Sequence, residues 1–70
     1  MLHLIFSDNG IERIRNILRP SDQVVQLSKS GIMLIDTGKY LAQSRLTGTS
    51  IDQNTLARLI HNATAIKGTY

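Results

Sequence analysis

An apolar run, Leu2-His3-Leu4-Ile5-Phe6, opens the chain, and near its other end a helix-spaced segment from Ile51 to Ile60 leads into a last run from Ala65 to Tyr70. A short apolar strand feeding a helix is the repeating unit of an α/β domain. These ends therefore constrain the fold more than anything between them. The first run is short and nearly continuous and is bounded by Ser7-Asp8-Asn9-Gly10, which suits a strand buried on both faces. With a strand placed this early, no secretory leader is expected.

The segments between the ends extend the same alternation. Asn9 stands where a helix N-cap is expected, with Glu12 three residues on as in a capping box. Ile11, Ile14, Ile17 and Leu18 follow at helical spacing and predict one apolar helix face. Arg19-Pro20 stops that helix, because the residue before proline avoids the α region. Val24, Val25 and Leu27 predict a second strand, and Ile32 to Ile35 a third, with Lys29-Ser30-Gly31 as the turn between them. A parallel crossover needs about a dozen residues, so this step is expected to be antiparallel. Lys39 to Leu46 suits a short helix ending before Gly48, and Thr49-Ser50-Ile51 a brief strand or a loop. Asp52 is the expected N-cap of the last helix, with Ile51 and Leu56 placed as a hydrophobic staple. Leu56, Leu59, Ile60 and Ala63 are its expected inner face, and Ala65-Ile66 with Gly68-Thr69-Tyr70 a closing edge strand. The reading is β-α-β-β-α-(β)-α-β: one small α/β domain over residues 1–70, a sheet with helices packed on it.

Length then limits stability. A chain of 70 residues supports one domain, and a single core of this size rarely supplies more than about 3–5 kcal/mol. There is no cysteine, hence no disulfide, thiolate zinc site or cysteine nucleophile. Two histidines, His3 and His61, are too few for a metal site. Oligomerisation is the remaining staple, so self-association or a partner chain is expected.

The formal charge is +3, from eight Lys or Arg against five acids with the signs interspersed. That balance permits contact with nucleic acid or an acidic protein without requiring it. One Phe and two Tyr are too few for a single-strand stacking platform. No apolar stretch is long enough for a membrane helix, so no membrane contact is expected and the cytoplasm is the expected compartment. Asn62-Ala63-Thr64 matches a glycosylation sequon, which reads as chance without a secretion signal.

No constellation of reactive residues points to a reaction. His3 reads as a histidine packed near a strand end, and His61 as a helix C-terminal surface residue. Asp8, Asp22, Asp36 and Asp52 fall at run ends and helix starts, where turn and cap roles are expected. Thr37-Gly38-Lys39 lacks the pattern of a phosphate loop, and Tyr40 stands where that loop carries a hydroxyl residue. Arg13, Arg15 and Arg19 cluster on the first helix and, with Tyr70, are candidate contacts for a partner or nucleic acid. No catalytic, cofactor-binding or metal-binding residue is assigned, and no cofactor is expected.

The two ends also carry a family resemblance. Met1-Leu2-His3 before an apolar strand, a helix, and then Ser21-Asp22-Gln23-Val24-Val25-Gln26-Leu27 is similar to the N-terminal half of the TusB/DsrH family. Leu46-Thr47-Gly48, Ile51-Asp52, Leu56, Arg58 and Leu59 resemble that family's closing strand and helix. Members commonly end in tryptophan, and Tyr70 would take that place here. The chain is shorter than typical members and lacks the cysteine some of them carry, which excludes a persulfide on this polypeptide. The resemblance implies a DsrE-like α/β sheet, here shortened, acting as a non-catalytic subunit among related small sulfurtransferase subunits. A cysteine on a different subunit would carry the sulfur, relayed toward 2-thiouridine at the tRNA wobble position, so tRNA would be met only indirectly. Relatives in sulfur oxidisers handle dissimilatory sulfur instead. The alternative, from the residues alone, is a small basic nucleic-acid-binding or regulatory module acting through the three arginines.

Overall fold

The chain forms β1 (Leu2–Ile5), α1 (Gly10–Ile14, prolonged by a 3-10 turn at Arg15–Ile17), β2 (Gln23–Ser28), β3 (Gly31–Ile35), α2 (Thr37–Gln43), β4 (Gly48–Ile51), α3 (Gln53–Asn62) and β5 (Ile66–Thr69). This computed structural model describes every residue from Met1 to Tyr70. The strands make one five-stranded sheet in the order β4-β3-β2-β1-β5. β1 pairs parallel with both β2 and β5. β3 pairs antiparallel with β2 and with β4, so it alone runs against the others. The β2–β3 hairpin turns at Lys29-Ser30, as the short spacing requires.

Register assigns the faces, because side chains alternate along a strand. His3, Val24 and Ile35 are aligned across β1, β2 and β3 and share one side with Ile5. Ile5, Val24 and Ile35 form the main core with Ile11, Ile14 and Leu18 from α1 and its exit, and with Tyr40 of α2. Leu41 packs against this cluster. Helices α1 and α2 therefore cover that face. Leu2 and Val25 point to the opposite face and are also fully buried. The chain leaves β4 at one edge and enters β5 at the other, so α3 crosses this second face and covers them.

Several local expectations need correction. The first strand stops at Ile5, so Phe6 leaves the sheet and is exposed. Helix α1 tightens into 3-10 geometry after Ile14, which turns Ile17 out to solvent while Leu18 stays buried. Asn9 makes no side-chain cap bond, because its backbone is already near helical. Helix α2 starts at Thr37 and ends at Gln43, ahead of the expected Leu46, because Ser44 takes the left-handed conformation that closes a helix. Asp36 caps it by accepting from the Lys39 N–H at 3.1 Å, so Thr37-Gly38-Lys39 is a first helical turn and not a phosphate loop. Residues 48–51 are a true strand, pairing with β3. Asp52 caps α3 by accepting from the Thr55 N–H at 2.7 Å; the Thr55 side chain first, and then this N–H, hold the Asp52 carboxyl below its ordinary pKa. The expected inner face of α3 is only partly covered: Leu56, Leu59 and Ala63 are half-buried and Ile60 is exposed.

Candidate functional site

The polar network at the amino ends of β1 and β2 begins with a histidine that sheet register forces inward. His3 pairs with Val24 on the α1 side of the sheet and is 1% exposed. Its Nε2 lies 3.3 Å from Asp22 Oδ2. The Arg19 N–H donates to the same oxygen at 3.1 Å, and the Met1 amino group donates to Oδ1 at 3.2 Å. The Arg19 N–H contributes most to lowering the Asp22 pKa, followed by the bonds from the Met1 amino group and His3, against an opposing effect of burial. His3 Nδ1 is buried without a partner. A catalytic histidine must present its second nitrogen to a substrate, and this one is closed off. The network therefore fixes the start of β1 against the loop before β2, in keeping with the packed-histidine reading.

The carboxyl ends of parallel strands are where open α/β sheets hold ligands. Here that region offers Asp8, Gln26, Ser28, Ser30 and Ser50 around a small hollow. Four of its polar groups pair with one another: Gln26 Nε2 donates to Asp8 Oδ1 at 3.4 Å, and the Ser28 and Ser30 hydroxyls are 2.8 Å apart. Asp8, the one carboxylate in the hollow, accepts from Gln26 and makes no hydrogen bond to these hydroxyls. No group of three or more His, Asp or Glu residues is arranged to hold a metal. His61 sits exposed in the last turn of α3.

The three arginines of the first helix do not form one stripe. Arg13 donates to the Tyr70 carbonyl at 2.8 Å and ties α1 to the end of β5. Arg15 donates to Ser44 Oγ at 2.8 Å and stacks over the Tyr40 ring at 5.3 Å, tying α1 to α2. Arg19 lies past the helix, beside His3 and Asp22. The fork of Arg13 and that of Arg15 are thus engaged within the chain, in different directions.

Tyr70 belongs to a different cluster. Its ring stacks on Phe6 with centroids 5.0 Å apart, and it is 77% exposed. Phe6 is 42% exposed, and its ring edge lies 3.3 Å from where a Gly68 side chain would begin, so it reaches across β1 onto β5. Ile66 is aligned with Leu2, on the α3 side, and is 45% exposed. β5 pairs only with β1, so its outer backbone edge is free. Phe6, Ile66 and Tyr70 thus mark an apolar strip along an open sheet edge, with Ile60 exposed on the helix that covers the same face. Sequence reading found Tyr70 and missed the other three, because Phe6 and Ile66 read as strand residues and Ile60 as helix core.

No protein-family model, curated protein or solved structure matches this chain. No helix is long and apolar enough to cross a membrane.

Proposed function

We propose that this protein is a non-catalytic subunit of a hetero-oligomeric sulfur-relay assembly of the TusB/DsrH type, docking related small sulfurtransferase subunits along its β5 edge. The observation that carries the docking is the strip formed by Phe6, Ile66 and Tyr70 beside unpaired strand backbone. Exposed apolar side chains contiguous with a free strand edge favour association with another chain. The sulfur-relay assignment rests on the sequence resemblance alone, which falls on β1, β2, β4 and α3, with Tyr70 just past β5. In this reading the chain shapes the surroundings of a partner's cysteine and has no chemistry of its own. Its place is the cytoplasm, where the tRNA acceptor of such a relay is found.

The test is reconstitution with the two related small subunits of the source organism. Size-exclusion chromatography with light scattering should give one complex of higher mass. Phe6→Ser together with Tyr70→Ser should release this chain from it while leaving its circular dichroism unchanged. Deleting the gene should lower 2-thiouridine in tRNA. Separate elution of the unaltered chain, with unchanged 2-thiouridine in the deletion strain, would overturn the proposal.

A further inference from the structure

We infer that the cleft at the amino ends of β1 and β5, on the face opposite the docking strip, binds a small phosphate-bearing ligand. Met1, His3, Ile17, Arg19, Asp22 and Lys67 line this cleft, whose volume is about 320 Å³. That is within the range of small-molecule sites and too small for a macromolecular groove. Lys67 is aligned with His3 across the β1–β5 pairing, so both side chains point to the α1 side. Arg19 approaches from the loop that follows α1.

The charges in the cleft are unequal in a specific way. Asp22 is its one acid, and both of its carboxylate oxygens are occupied, Oδ1 by the Met1 amino group and Oδ2 by His3 and the Arg19 N–H. The Asp22 side chain is 9% exposed, so its charge is neutralised close by and turned inward. The Arg19 guanidinium and the Lys67 ammonium, by contrast, make no hydrogen bond or ion pair within the chain. The cleft therefore presents a net positive field with unspent donors. A planar fork and a mobile ammonium facing one hollow suit a tetrahedral dianion: the guanidinium can bind two oxygens and the ammonium a third.

Two further features argue for a built site over a chance pair of surface cations. His3 forms a wall and cannot yield, being fully buried and fixed to Asp22. Ile17 is turned outward by the 3-10 exit of α1 and supplies an apolar wall for the rest of the ligand. This inference does not depend on the sulfur-relay reading, because it uses the other face and different residues.

The test is a titration of the ¹⁵N-labelled full chain followed by amide chemical shifts at constant ionic strength. Inorganic phosphate and adenosine monophosphate are the probes. Saturable shifts confined to residues around Ile17, Arg19 and Lys67 are expected. Saturation by phosphate alone would assign the free ion, and tighter binding of the nucleotide would assign a phosphomonoester. R19Q and K67Q should each weaken binding by at least about tenfold, the effect of losing one charge-assisted bond. R58Q removes an equal charge from α3 on the other face and should leave binding unchanged. Linear, unsaturable shifts with both probes would overturn the inference. So would equal weakening by R58Q and K67Q, which would mark a general charge effect.

Discussion

Ile5→Ala and Leu59→Ala, made separately, measure how differently the two faces of the sheet are sealed. Ile5 is fully buried in the cluster beneath α1 and α2. Truncating it loses transfer energy and leaves a cavity, a cost of about 2–5 kcal/mol. A chain of this size has about 3–5 kcal/mol in total, so Ile5→Ala should lose most of its stability. Leu59 is half-buried on α3. It loses about half the burial energy of a core leucine, roughly 1 kcal/mol, and water fills the space it leaves. A small domain has a urea slope near 1 kcal/mol/M, so the Leu59→Ala midpoint should fall by about 1 M while the fold persists. Urea unfolding followed by circular dichroism reads both. If Leu59→Ala is as damaging as Ile5→Ala, α3 is part of the sealed core, and the open layer on which the docking strip depends does not exist.

Gly10→Ala should lower stability by about 1–3 kcal/mol, the usual range for overpacking, because its new carbon would collide with the buried Ile5 Cγ2; a thermal melt as high as the parent's would contradict this. The Asp22 carboxyl is held below its ordinary value of 3.8 in the folded chain, so its contribution is present at higher pH and is lost as pH falls through and below about 4. Asp22→Asn should therefore flatten the urea midpoint between about pH 6 and pH 3 relative to the parent, and parallel pH profiles would refute the linkage. Asp52→Ala should lower the melting temperature through loss of the bond from the Thr55 N–H, whereas Arg58→Ala, on an exposed position, should melt like the parent; the opposite order would place the wrong residue at the start of α3.

The alternation of strands and helices was legible because its signals are local. Ile11, Ile14 and Leu18 repeat at helical spacing, and Val24-Val25 and Ile32 to Ile35 are too short and too close to be anything but a hairpin. The caps at Asp36 and Asp52 follow from side chains that reach their own backbone. Where local chemistry competes with packing, sequence reading misplaced residues. Ile17 fits the helical period, yet the 3-10 exit rotates it outward. Phe6 continues an apolar run, yet the backbone has already left the sheet. Nothing local pairs His3 with Asp22, because their contact depends on β1 and β2 lying parallel in one particular register.

The candidate docking strip was illegible for a related reason, and topology explains it. The spacing of α3 and β5 does not say which edge β5 will join. Once β5 pairs with β1, the link from β4 must cross the whole sheet. Five strands are about 19 Å across at their usual spacing, whereas a helix is only about 10 Å in diameter and covers roughly two strands at a time. α3, at ten residues, is the one helix on that face, so a full seal is geometrically out of reach. Leu2 and Val25, near the middle, are buried, while Ile66 and Phe6, at the β5 side, are not. Their exposure follows from joining opposite edges with one short helix, and substituting other apolar residues along α3 would not close the gap. A second chain along β5 would supply what the fold lacks, both partners for the free backbone edge and cover for the ring of Phe6.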